Sequence, residues 1–459
     1  MRTRRSLTVL AGVVALSTAT AMGTATAATP TGGTVHGFAF GEMQSTAVGA
    51  SGCGTNIAGE PSLHVSRANL VGLGSEDGVG SGSEYWRAPQ VGGSTRASAC
   101  GLTYSGQPNA VSKIGASGGD IDTAFAPVKS TAGTYRIYAA SLNLGSINVA
   151  VSNDNGATFS QTPVQGGVPV DDREWIAAYG ADTSLLSYHD IVTSNIDVLR
   201  SDNGGALYTQ TSRVIPDTDY KAQNNELGNL VIDHNRTTPA GFWAYQAFVA
   251  PSADPGVTGN STYNEAFLGV SSDGGHTWAD KAIPCSKSFG ANGLDHNFPN
   301  VSVAPNGQLF YAVSNDKAIH VARSSDHGNT WTCSGAVSST TQAIYPWIVA
   351  TSSGEDLVYY GAIGTGSSQT WYVYFAQNPA QTVGGWSTTQ LMPVHKGAVC
   401  EGGVSCTGGR QLLDDFAVDT DRSGWAHIAY SHDGPNLGGS GSYTGYAVQQ
   451  SGTRVGYPN

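Results

Sequence analysis

A chain of 459 residues, 39% of them apolar, can bury an extensive core, yet only 12% are charged and 61 are glycine. That balance suits many short strands and tight turns better than helices. The net charge of −12, with no basic run beyond the N-terminal head, argues against nucleic acid and anionic membranes as partners.

The chain opens with a basic head, an apolar run diluted by Ala, Thr and Ser, and "ATA" before Ala28. Residues 1–27 read as a secretory signal, too short and too weakly apolar to anchor in a bilayer. The Arg4–Arg5 pair leaves both the general and the twin-arginine export routes open. Loss of the signal takes the charge to −15, and the mature protein is expected to be secreted and extracellular, without a membrane span, and monomeric. Export fits six cysteines, an even number in an oxidising compartment, for which the expected pairs are Cys53–Cys100, Cys285–Cys333 and Cys400–Cys406. No C-x-x-C knuckle points to a metal centre. Residues 28–58, rich in Gly and Ala, are expected to be an extension or a closing segment, and 59–459 a single domain.

Within that domain, polar residues followed by alternating apolar ones recur as "EPSLHV" from Glu60, "DIDTAFAP" from Asp120, "REWIAAYG" from Arg173 and "ELGNLVID" from Glu226. The series continues as "FPNVSVAP" from Phe298, "YPWIVATS" from Tyr345 and "DDFAVDTD" from Asp414. A second apolar strand follows most starts, and helical periodicity is absent. The spacing predicts an all-β fold, a β-propeller of four-stranded antiparallel blades, seven by the count of starts.

In phase with this series runs an eight-residue sentence: "SNDNGATF" from Ser152, "SSDGGHTW" from Ser271 and "SSDHGNTW" from Ser324, with an eroded "RSDNGGAL" from Arg200. Asp and Asn favour turns by bonding nearby backbone N–H groups, and Gly supplies backbone angles that other residues resist. Each copy therefore reads as a hairpin turn pinned by its Asp, followed by an aromatic plug. These copies resemble the Asp-box, or bacterial neuraminidase, repeats of the sialidase superfamily, from about Glu60 to Asp433. The resemblance implies a six-bladed propeller, which leaves the count at six or seven blades, and a carbohydrate-active protein, with an exo-sialidase-type glycosidase as the first expectation.

Strand direction locates the site. In a four-stranded antiparallel blade the repeat turns lie on one face, while the starts of the innermost strands and the ends of the second strands lie on the other. The expected catalytic residues on that far face are Asp122 or Asp415 as proton donor, and Tyr345 or Tyr188, backed by Glu226, at the anomeric carbon. A neutral Tyr nucleophile is what the resemblance implies for an anionic sugar. Expected substrate-binding residues are Glu60, Asp120, Asp172, Arg173, His189, His296 and His432, with Arg173 as the bidentate carboxylate anchor. The "YWRAP" stretch around Arg87 is similar to the sialidase Phe/Tyr-Arg-Ile-Pro signature, but it follows a second strand instead of opening an innermost one.

A polysaccharide lyase acting on uronic acids is the second expectation, because His189, His296 and His432 stand beside carboxylates and near Tyr residues. A glycan-binding propeller without catalysis is the third. The expected partner is a glycan in each case. No cofactor is expected, and a structural Ca²⁺ is left open.

Overall fold

The computed structural model describes residues 34–459 except 78–81, 89–97, 110–118, 144–145, 165–170, 191, 296–297, 403–405, 409, 411, 435–436 and 440. The signal segment lies outside the described residues. Seven antiparallel sheets form a seven-bladed β-propeller, which resolves the count left open between six and seven. Its innermost strands are Gly59–Val65, Ile121–Phe125, Asp171–Tyr179, Glu226–Thr238, Asn300–Val303, Gln342–Ala350 and Ala417–Thr420, for blades 1 to 7. Each neighbours the next, and the last returns to the first.

Blade 7 is completed from the other end of the chain. Strand Phe38–Glu42 pairs with Tyr443–Gln449, with Phe38 opposite Gln449 and Glu42 opposite Gly445. Asn56 backs this seam by donating to the carbonyls of Met43 and Thr444 at 2.9 Å each. All three expected disulfides are present, with Cα separations of 4.7, 5.9 and 6.0 Å.

The eight-residue copies are turns between the third and fourth strands of their blades. In each full copy the Asp accepts from the Ser hydroxyl two residues before it, at 2.8 Å, and from the Thr backbone N–H four residues after it, at 2.9 Å. The Ser hydroxyl in turn accepts from the Gly N–H. These donors hold the Asp326 carboxyl down at about 2, mainly through the Thr330 hydroxyl. The eroded copy keeps the same turn in a register that begins at Ser201, where Asn203 does the Asp's work by accepting from Leu207 N–H at 3.1 Å. Tyr208 then fills the aromatic place and bonds Ser184 at 2.7 Å.

Adjacent innermost strands are joined by short polar side chains. Asp419 accepts from Val65 N–H (2.7 Å), Asp122 from Ile176 N–H (2.9 Å), Asn229 from Val301 N–H (2.7 Å) and Asn300 from Ile348 N–H (2.8 Å). Asn229 also donates to Val301 C=O at 2.9 Å. Beside it Gly228 is obligatory, since a Cβ there would stand 1.7 Å from the Pro299 carbonyl oxygen.

Two stability outcomes follow. Asn229→Ala leaves two buried backbone groups of Val301 without partners and should cost on the order of 1–3 kcal/mol per group in chemical denaturation; an unchanged midpoint would remove these bridges from the account of blade packing. Asp273→Ala should lower the melting temperature and the yield while leaving the properties of the opposite face intact in the folded fraction. A folded Asp273→Ala protein with its ligand chemistry specifically altered would place the site on the wrong face.

Candidate active site

The innermost strands of blades 1, 3, 4 and 6 break register near their starts, between Gly59 and Ser62, Asp172 and Glu174, Leu227 and Leu230, and Ile344 and Trp347. Such bulges re-aim side chains. At three of them a residue other than Gly adopts left-handed backbone angles: Glu60 (φ 48°), Arg173 (φ 48°) and Tyr345 (φ 55°). Strain of this kind persists only where the surroundings over-determine it. Ser431 Oγ accepts from Glu60 N–H at 3.0 Å and holds the first of the three in place.

Arg173 sits at the centre, 6% exposed. Its guanidinium reaches Asp120 (3.0 Å), Asp415 (3.1 Å) and Glu60 (3.7 Å). Below it lies an aromatic plug: the guanidinium carbon is 4.4 Å from the Phe298 ring centre and 5.0 Å from that of Trp175. Trp175 of blade 3 meets Trp347 of blade 6 across the axis, with centroids 5.6 Å apart. Beneath the plug a cavity of about 850 Å³ runs toward the turn face, lined by residues of all seven innermost strands and met at its mouth by Tyr457, Pro458 and Asn459.

Around Arg173 carboxyls are in excess. Asp414 accepts from Arg410 and donates its backbone N–H to Glu60 at 2.8 Å. Burial pushes Asp415 up to about 8 against the pull of Arg173, and pushes Glu76 up to about 8 with Asp120 adding to it. Glu60 is raised well above its ordinary range by burial and by the charges of Glu76, Asp120 and Asp414. For Asp120, burial pushes up, but the Arg173 charge and hydrogen bonds from Glu60, Arg173 and Glu76 together hold the carboxyl below its ordinary range. Glu226, half-buried on the funnel wall, is pushed up to about 8 by burial and then by Asp172, Asp295 and Asp414. Asp172 stands exposed nearby.

The expected residues thus divide. Glu60, Asp120, Asp172, Arg173, Glu226 and Asp415 share the funnel. Asp122 is engaged elsewhere, bridging Ile176 N–H and the His64 ring at 3.1 Å. Tyr188 packs in the apolar cluster with Ile176, Leu186 and Leu199, away from the axis. Tyr345 is on the site face but only 1% exposed, and its hydroxyl is pushed far above its ordinary range by burial and by Asp414, which opposes its use as a nucleophile. His432 is held at 2.6 Å by Glu42 of the closing strand. His189 bonds the Ser194 carbonyl at 3.0 Å, and burial keeps it neutral to lower pH. His296 lies outside the described residues. Arg87 ends the third strand of blade 1 beside Gly156 of a repeat turn, on the opposite face.

Glu76 and Arg410 belong to the cluster without having been chosen as site residues. Glu76 was legible as the end of a second strand, whereas Arg410 comes from a loop before the last blade that carries no periodic signal.

No protein-family model matches the chain, and no curated protein matches it by sequence. Its fold is similar to that of a GH74 enzyme from Niastella koreensis, at 15% identity and a TM-score of 0.51 over 88% of this chain and 53% of that one. This chain therefore spans about half the length of that enzyme. An α-L-arabinofuranosidase of Fusarium graminearum aligns over 72% and 92% of the two chains at 12% identity and TM-score 0.42. A PL25 ulvan lyase aligns over 91% and 97% at 11% identity and TM-score 0.47. At these identities the shared feature is the propeller.

Proposed function

We propose that the protein is a carbohydrate-active enzyme, a glycoside hydrolase that cleaves neutral glycans in the funnel above Arg173. The observation that carries the reading is Glu226: a carboxyl on an accessible wall, pushed up to about 8 by burial and by Asp172, Asp295 and Asp414, with the more exposed Asp172, itself raised by burial and by Asp120, beside it. Two carboxyl groups in different protonation states are what glycosidic cleavage needs, one to protonate the leaving oxygen and one to assist water or the anomeric centre. Glu226 takes the first role and Asp172 the second. The likeness of the fold to a GH74 enzyme supports the class of chemistry.

The sialoside preference implied by the repeat resemblance has a counter-argument. An Arg that anchors a substrate carboxylate must be free to pair with it, and the Arg173 guanidinium is already ion-paired with Asp120 and Asp415. With Arg410 also paired to Asp414 and Glu60, a second carboxylate entering the funnel would meet like charge. A neutral sugar meets no such barrier.

Glu226→Gln should lower kcat by about 10²–10⁴-fold with the melting temperature preserved. In the wild type, activity should fall as pH rises through about 8, because Glu226 then loses the proton it donates. The glutamine variant should lose that limb. A screen of neutral, sialylated and uronic-acid glycans separates the reactions. Reducing ends from a neutral glycan are expected; free sialic acid would restore the sialidase reading, and an ultraviolet-absorbing product from a uronic-acid glycan would replace hydrolysis with elimination.

A further inference from the structure

The funnel floor crowds three acids together, with Asp120 within hydrogen-bonding reach of both Glu60 and Glu76. Glu60 starts the innermost strand of blade 1, Glu76 ends the second strand of the same blade, and Asp120 directly precedes the innermost strand of blade 2. Each offers a carboxylate oxygen, and the three oxygens lie within 4.8 Å of one another. Glu60 and Glu76 are each only 2% exposed, and their Oε2 atoms accept no hydrogen bond. Arg173 reaches Asp120 at 3.0 Å and Glu60 at 3.7 Å, and Arg410 reaches Glu60 at 3.5 Å. Among the described residues no cationic side chain contacts Glu76.

We infer that Glu60, Glu76 and Asp120 form a divalent-cation site, and that calcium is the ion it takes. Ligand chemistry decides the class: three carboxylates with no His or Cys among them suit a hard cation and do not suit zinc or copper. Irregular placement across two blades favours calcium over magnesium, which demands near-octahedral ligands at short distances. Asp120 is the more open of the three, with its side chain 17% exposed, so water from the funnel can fill the remaining coordination positions. The strained backbone of Glu60 gains a purpose, since the bulge there turns its carboxylate toward the other two. Five carboxyls (Glu60, Glu76, Asp120, Asp414 and Asp415) surround two arginines, and a bound divalent ion brings that floor closer to neutrality. The site stands whether or not the funnel cleaves glycans.

The test is thermal and calorimetric, so it is independent of any activity. Chelator-treated protein at neutral pH, titrated with calcium chloride, should give one binding event, and its melting temperature should rise by roughly 3 °C when calcium reaches a hundredfold excess over Kd. Magnesium should shift it less. Glu76→Gln, which keeps the side-chain shape and removes the charge, should remain folded in chelator and lose both the heat and the shift; Asp120→Asn provides a second readout should the first variant fold poorly. The competing solution is that protons bridge the three carboxyls. In that case calcium gives neither heat nor shift at neutral pH, or both variants keep the wild-type response, and either result overturns the site.

Discussion

The ring holds together through a small set of hydrogen bonds in which an Asp or Asn on one innermost strand accepts from a backbone N–H on the next. Neighbouring blades share no backbone ladder, so N–H groups facing the next blade would otherwise be buried without partners. Asp419, Asp122, Asn229 and Asn300 answer this, all in the same direction around the ring. Because each bridge fixes the height of one strand against its neighbour, the bulges carrying Glu60, Arg173 and Tyr345 arrive together at one end of the axis. The polar residues of the strands therefore do two jobs, and Asp122 shows that a carboxylate near the axis can belong wholly to the first.

The funnel above the plug is acidic in a way that restricts its chemistry. Stacking Arg173 on Phe298 and Trp175 removes one face of the guanidinium from water, while Asp120, Asp415 and Glu60 occupy its edge. The arginine thereby stands as a buried cation among carboxyls. Burial raises Glu226 and Asp415, the latter in spite of Arg173 at 3.1 Å, whereas at Asp120 the Arg173 charge and the hydrogen bonds from Glu60, Arg173 and Glu76 together overcome burial.

Fold and face were legible in the sequence because both rest on local periodicities. Alternating strands repeat at propeller spacing, and Ser-x-Asp-x-Gly-x-Thr-aromatic forms its turn from its own residues, whatever lies elsewhere. Strand direction then put Glu60, Arg173 and Glu226 at one end correctly. What the sequence could not convey was side-chain partnership across blades. Nothing local distinguishes Asp122, which caps Ile176, from Asp120, two residues earlier, which faces Arg173. Nor does anything local say that Tyr188 turns into an inter-blade cluster. Alternation assigns a residue to one side of a strand, and the neighbouring blade decides whether that side is core or funnel.

The seam in blade 7 carries a consequence for the order of assembly. Phe38–Glu42 is among the earliest strands to leave the ribosome, yet its partner, Tyr443–Gln449, is among the last. Until that partner arrives, an apolar segment paired only along one edge, with Thr34–Val35, must wait through the emergence of six complete blades. Loop closure over some four hundred residues adds only a few kcal/mol, because its entropy grows with the logarithm of length. The vulnerability is kinetic: an early strand left waiting is a template for pairing with other chains. The Cys53–Cys100 bridge, formed between residues that both emerge early, tethers the segment after that strand to blade 1 before the ring can close.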